Sequence, residues 1–182
     1  FKLILKTIAD VGLVGFPNAG KSSLIGLLTE AAPRTASYPF TTLQPSVGVV
    51  HYPDTYERLT LADIPGLIEG AHQNRGLGHR FLRHIERCRL LLIMLDMAGT
   101  DGRSPLEDYQ QLMDELRLYD ETLMDKPRII VANKMDESSA QKNIKAFRKK
   151  VKSPIMELSC LSEVGLMQLK EELYERIVQA RS

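Results

Sequence analysis

The stretch Gly15-Phe16-Pro17-Asn18-Ala19-Gly20-Lys21-Ser22 decides how the rest of the chain is read. Its spacing is G-x-x-x-x-G-K-[ST], it follows the apolar run Ala9 to Gly15, and it opens a segment of helical period. In a tight strand-to-helix turn the backbone N–H groups converge, and the helix N-terminus adds partial positive charge, so the segment suits phosphate oxygens. Glycine keeps a Cβ out of that approach. Lys21 is expected to bridge the β- and γ-phosphate oxygens of a nucleotide, and the Ser22 hydroxyl to ligate Mg²⁺.

Outward from this loop, apolar β-rich runs alternate with helical segments, which is the pattern of an α/β protein. The candidate strands are Ala9 to Gly15, Ser46 to His51, Arg58 to Asp63, Leu90 to Asp96, Arg128 to Asn133 and Ile155 to Leu158. Several are continuously apolar, as strands covered on both faces require. Ser104-Pro105-Leu106-Glu107 reads as an N-cap, a first-turn proline and a capping-box Glu. The helix it starts is expected to face the sheet with Leu106, Tyr109, Met113 and Leu116. Ile144, Phe147 and Val151 mark a further helix, and Leu166, Leu169, Leu173 and Ile177 the last. The least regular stretches are Ala32 to Pro45 and Ile64 to Leu77, and long loops of this kind are usually functional.

A length of 182 residues gives one compact domain at roughly 150 residues per domain. With 43% hydrophobic and 26% charged residues the chain can bury a core, which excludes a disordered tail, a collagen and a coiled coil. Twenty-four Lys plus Arg against twenty-three Asp plus Glu leave a net charge of +1, so binding to nucleic acid or lipid would need a local patch. No apolar run approaches the roughly 18 residues of a membrane span, and Phe1 to Thr7 is too short for a signal peptide. The two cysteines, Cys88 and Cys160, form no spaced cluster, as in a reducing compartment. A cytoplasmic protein is expected, and the start at Phe1 points to a piece cut from a longer chain.

Two more segments at strand ends carry chemistry. Asp63-Ile64-Pro65-Gly66 places a carboxylate and then a glycine where a Mg²⁺ partner and a γ-phosphate sensor would sit after a phosphate loop. Asn133-Lys134-Met135-Asp136 suits guanine, because a carboxylate can accept from both N1–H and the exocyclic amine. Adenine offers a lone pair at N1 and no amine at C2, so a buried Asp136 would be left facing acceptors. The Asn133 amide either buttresses the loop or reaches the base edge, and the Lys134 stem covers a face of the ring.

This ordered set resembles the translation-factor-related P-loop GTPases. Longer stretches resemble the Obg family in particular: Gly15 to Ser22 with Ser23, then Tyr38-Pro39-Phe40-Thr41-Thr42-Leu43, then Ala62 to His72 with Gly76-Leu77-Gly78. The likeness covers nearly the whole chain. It implies a P-loop NTPase fold, a Ras-like three-layer sandwich with a mostly parallel six-stranded sheet whose second strand runs antiparallel. Residues 1–182 would then be an Obg-type guanine-nucleotide-binding domain, alone and monomeric, without the glycine-rich N-terminal domain that such proteins carry.

By the same resemblance, Thr42 is the threonine that ligates Mg²⁺ when a γ-phosphate is present, with Thr41 as the second candidate and Phe40 beside the nucleotide. Ser159-Cys160-Leu161 falls where relatives place a loop whose backbone N–H touches guanine O6. The metal set would be Ser22, Thr42 and Asp63. Leu67 stands where Ras-like enzymes place the Gln that orients the attacking water, so unassisted turnover should be near or below roughly 10⁻⁴ per second. Asn18 either shapes a Pro-Asn turn or, as in related potassium-stimulated GTPases, helps hold K⁺ beside the phosphates and joins Lys21 and Thr42 in catalysis. The resemblance implies a GTP/GDP switch acting in large ribosomal subunit assembly and in stress or growth control. A nucleotide-sensing scaffold with little useful hydrolysis is the alternative.

From His79 to Arg89 the chain alternates Phe81, Ile85 and Cys88 with Arg80, Arg83, His84 and Arg87 at helical spacing. The basic stripe is either a solvated face or a surface for ribosomal RNA phosphates. His84 and Cys88 alone make no metal site.

Overall fold

The computed structural model describes residues 9–35, 46–63 and 88–181. Strands β1 (Val11–Val14), β2 (Arg34–Thr35), β3 (Ser46–Tyr52), β4 (Glu57–Asp63), β5 (Leu90–Asp96), β6 (Arg128–Asn133) and β7 (Ile155–Glu157) form one sheet in the order β2-β3-β4-β1-β5-β6-β7. All six expected strands form, and β3 runs antiparallel to β4 as the resemblance implied. Arg34–Thr35 adds a seventh strand at the edge, paired antiparallel with Val47 and Ser46. Two residues are too few to carry a period, so this strand is invisible to a reading of pattern.

Strict alternation in the buried strands divides the core into two. On β5, Leu91, Ile93 and Leu95 point to one face, while Leu90, Leu92 and Met94 point to the other. The first face is covered by α2 (Pro105–Tyr119) and α3 (Ser138–Lys150), through Leu112, Leu116, Ile144 and Phe147. The second is covered by α1 (Lys21–Leu28) and α4 (Leu166–Leu173), through Leu24, Ile25, Leu169 and Leu173. Two helical layers around a sheet complete the three-layer sandwich.

The N-cap and the first-turn proline expected at α2 form: Ser104 Oγ accepts the Glu107 N–H at 3.4 Å, with Pro105 in the first turn. Its sheet-facing side is the one expected, with all four residues packed into the core, and it is widened by Leu112. Leu112 is fully buried with Met113 and Leu116, whereas Leu106 and Tyr109 are half-buried. Asp108 and Glu115 share the buried side, and Arg103 Nε reaches Asp108 Oδ1 at 2.8 Å. That ion pair lets a carboxylate occupy a position that polarity alone assigns to solvent.

Parallel register then sets the site. Leu13 pairs with Asp63, Val14 with Ile93, and Asp96 with Asn133, so the carboxyl ends of β1, β4, β5 and β6 finish along one edge of the sheet. Strand order reverses at β1, and in open α/β sheets the crevice at such a switch point is where ligands bind.

Candidate nucleotide-binding site

At that edge a groove of about 990 Å³ runs from the Pro17–Ser23 loop to the Asn133–Asp136 and Cys160–Leu161 segments. The loop after β1 makes one 3₁₀ turn, Pro17–Ala19, and enters α1 through Gly20 at φ +102°. An L side chain is strained at that φ, and a Cβ on Gly20 would strike Asn133 Nδ2. A Cβ on Gly15 would come within 2.6 Å of the Met94 carbonyl oxygen. Both glycines of the motif are therefore fixed by close approach.

Lys21 is 7% exposed, and its Nζ donates to the Gly15 carbonyl at 2.5 Å and to the Phe16 carbonyl at 3.4 Å. Burial pulls its pKa down, against the attraction of Asp63. Asp63 Oδ1 lies 3.8 Å from Lys21 Nζ and is buried with no hydrogen-bond partner. Burial pushes the Asp63 carboxyl up, opposed by Lys21 and by a hydrogen bond from Ser22. An orphaned carboxylate oxygen beside a serine hydroxyl suits Mg²⁺, which keeps several waters and draws other ligands from substrate phosphates. Among the described residues no group of three or more His, Cys, Asp or Glu forms a protein-only metal cage.

At the far end, Asn133 is 2% exposed and ties two loops together. Its Nδ2 donates to the Ala19 carbonyl at 2.8 Å and its Oδ1 accepts the Cys160 N–H at 3.1 Å. Of the two roles left open by the sequence, this is the buttress. The Cys160 N–H, expected to face a purine O6, is thereby engaged inside the protein. Burial pushes the Cys160 thiol up, with Asn133 opposing and Asp136 assisting. Leu161 is 84% exposed at the groove's rim.

Asp136 is exposed, so the burial assumed in reading its base preference is not provided by the protein atoms around it. Its Oδ1 accepts from the Ser159 hydroxyl at 2.6 Å, and Ser159 Oγ also accepts the Ser162 N–H at 3.1 Å. Lys134 adopts φ +64°, and its Nζ donates to Asp96 Oδ2 and Thr100 Oγ1. The Asn18 amide donates to the Asp101 carboxylate across the mouth of the groove. Ser22 and Ser23 are exposed on the groove wall.

Phe40, Thr41, Thr42 and Gly66 lie outside the described residues, as do Leu67 and the basic stretch up to Arg87. Sequence reasoning missed Asp96, Thr100, Asp101 and Arg103. Arg103 stacks its guanidinium over the Phe16 ring at 3.9 Å to the centroid while holding Asp108. All four lie between the end of β5 and the start of α2, and the groups they meet, Phe16, Asn18 and Lys134, come from other loops, so no local spacing signals them.

The fold and the groove define a P-loop nucleotide-binding domain of the Ras-like type. Residues 10–134 match the family described as 50S ribosome-binding GTPase, and the chain belongs to it, within the Obg family. It is 58% identical to the GTPase Obg of Opitutus terrae, over 100% of this chain and 54% of that protein. It is 53% identical to the GTPase Obg of Akkermansia muciniphila, over 97% of this chain and 51% of that protein. The chain thus spans about half the length of these curated relatives. Among solved structures, the G domain of the T. maritima FeoB iron transporter superposes with a TM-score of 0.66 at 24% identity, covering 91% of this chain and 96% of that one. Aquifex aeolicus Era bound to GDP·AlF₄⁻ gives a TM-score of 0.66 at 24% identity, over 93% of this chain and 56% of that one. The two superpositions establish the fold.

Proposed function

We propose that residues 1–182 form one guanine-nucleotide-binding domain that binds GTP and GDP with Mg²⁺ and hydrolyses GTP slowly, as a cytoplasmic switch acting on the large ribosomal subunit. The observation that carries this reading is the buried, unpartnered Asp63 Oδ1 beside Lys21 and Ser22, at one end of a groove whose other end presents Asp136. Lys21 holds phosphate oxygens, Asp63 and Ser22 would hold the metal together with Thr42, and Asp136 accepts from the guanine edge. Bound Mg²⁺ would neutralise charge that develops on the phosphate oxygens. The family's description and the names of the Obg relatives support the ribosomal role. No described helix is long and apolar enough to cross a membrane.

Calorimetry with GDP, GTP and ATP tests the pocket, with heat expected from the guanine nucleotides and none from ATP. Single-turnover hydrolysis with and without large ribosomal subunits separates a switch from a scaffold. Stimulation is expected, since Leu67 supplies no group to orient water. Running both in KCl and in NaCl tests Asn18, whose amide would turn from Asp101 toward a monovalent cation. Equal rates in the two salts would remove K⁺ from the account.

A further inference from the structure

The turn that follows β5 is built around a carboxylate that neither phosphate nor metal chemistry calls for. Asp96 Oδ1 accepts the backbone N–H groups of Ala98 at 3.0 Å and Gly99 at 3.1 Å. Asp96 Oδ2 accepts the Thr100 N–H at 3.2 Å, the Thr100 hydroxyl at 2.5 Å and the Lys134 ammonium at 3.1 Å. The Thr100 hydroxyl oxygen in turn takes a second bond from Lys134 Nζ at 2.9 Å.

The turn is anchored from behind by the helix that follows the guanine motif. Ser139 Oγ donates to the Ala98 carbonyl at 2.9 Å and Asn143 Nδ2 to the Met97 carbonyl at 2.8 Å. Met97 N–H also donates to the Asn133 carbonyl at 3.1 Å, so the turn and the motif share a backbone bond. A carboxylate with five donors on a turn held from two sides cannot follow its partner; the partner must follow it. Lys134 needs such a guide. It sits at a left-handed φ that most side chains avoid, and a lysine stem has four rotatable carbons to fix.

We infer that Asp96 and Thr100 are positioning residues for the purine: they pin the Lys134 ammonium so that its methylene stem lies along the groove as a fixed platform for one face of the base. The inference rests on the guanine-nucleotide reading above. Asp96 also pairs with the ammonium, so the Lys134 charge is met inside the protein before any base arrives. Pre-organising the stem removes an entropy cost from binding, so the benefit belongs to the base and not to the phosphates.

Thr100→Val keeps the shape of the side chain and deletes the hydroxyl, whereas Thr100→Ser keeps the hydroxyl; Asp96→Asn keeps the shape and deletes the charge. Affinity for GDP and for GTP is measured by fluorescence titration of the purified full domain. Thr100→Val and Asp96→Asn are expected to weaken both nucleotides by the same factor, about 5- to 50-fold, the loss of one or two charge-assisted hydrogen bonds. Thr100→Ser should recover most of it. A fold defect would lower the melting temperature of the nucleotide-free variant and would not be repaired by serine, so melting curves accompany the titrations. If the wild type binds and Thr100→Val binds equally well with normal melting, the positioning role is overturned. If the loss grows from GDP to GTP, the turn serves the phosphates and the inference is again overturned. If the wild type binds neither nucleotide, the functional reading fails first and this inference falls with it.

Discussion

Lys21 Nζ and Asp63 Oδ1 face each other at 3.8 Å across the head of the groove, close enough to attract and too far apart to hydrogen-bond. Each is held against its own charge by burial, the lysine pulled below its ordinary pKa and the carboxyl pushed above it. Two buried charges that meet only at this distance cost stability.

The consequence is a pH dependence with a defined sign. A carboxyl whose folded pKa is raised makes the folded state bind more protons than the unfolded one, so stability falls as pH rises from about 4 through the folded value. Asp96 has the opposite sign. Burial alone would raise it, but the Thr100 and Lys134 hydrogen bonds outweigh that and leave it lowered, so its contribution is present above about pH 4 and is lost in acid. Comparing the wild type with Asp63→Asn cancels the Asp96 contribution. In urea unfolding without nucleotide, the wild type should lose stability relative to Asp63→Asn between pH 4 and pH 7. Parallel curves would show that Asp63 is not strained by burial.

Metal dependence should follow the same residue. With Mg²⁺ present, wild-type affinity for GTP is expected to exceed that in EDTA by at least about tenfold, the scale of one charge-assisted contact. In Asp63→Asn, and to a smaller extent in Ser22→Ala, the ratio should approach one. Titrations in the two buffers read this directly, and an unchanged ratio in Asp63→Asn would remove it from the metal set.

Asn133 bonds both to the buried Ala19 carbonyl and to the half-buried Cys160 N–H, so truncating it removes both of these bonds. Asn133→Ala should cost about 2–4 kcal/mol in urea unfolding. Gly20→Ala should be comparably damaging, because its Cβ meets the same amide at a φ that alanine resists. If the Asn133 amide contacted only the base, Asn133→Ala would lower affinity and leave the nucleotide-free protein as stable as before.

Much of this was legible in the sequence, for a physical reason. A continuous apolar run such as Leu90 to Asp96, and glycines at fixed offsets before Lys21, express constraints that act along the chain. Contacts between distant segments leave no such trace. Lys134 and Asp96 are neighbours only because β5 and β6 pair in register, and Asn133 spans loops that lie far from it in sequence. The same limit explains α2, where Asp108 joins the buried face because Arg103 neutralises it. Two-residue β2 fell below the length at which alternation can be seen.

The cysteines differ in access. Burial pushes the Cys88 thiol up to about 11, and Cys88 is buried while Cys160 stands half-buried in the groove wall. A thiol reacts as its thiolate, so both should be sluggish toward iodoacetamide at pH 7.5. Mass spectrometry over a time course should show Cys160 modified before Cys88 and slowed by GDP. Protection of Cys88 in place of Cys160 would put the purine elsewhere.

Base choice is the sharpest remaining test, because it isolates a single carboxylate. Asp136 Oδ1 is oriented by the Ser159 hydroxyl, whose own oxygen accepts the Ser162 N–H. A carboxylate so held offers acceptors to the N1–H and the amine of guanine. Replacing it with an amide turns one acceptor into a donor, which opposes the guanine amine and matches the C2 carbonyl of xanthine. Asp136→Asn should therefore lose GDP affinity by about 100-fold or more and gain affinity for xanthosine diphosphate, since a mispaired polar group at a base edge is worth several kcal/mol. Ser159→Ala should weaken GDP by about tenfold or less without changing the preference, because it loosens the carboxylate and leaves its chemistry intact. Competition between the two diphosphates for each variant measures both effects. If Asp136→Asn weakened GDP and xanthosine diphosphate equally, Asp136 would be supporting the loop and the base would be chosen elsewhere.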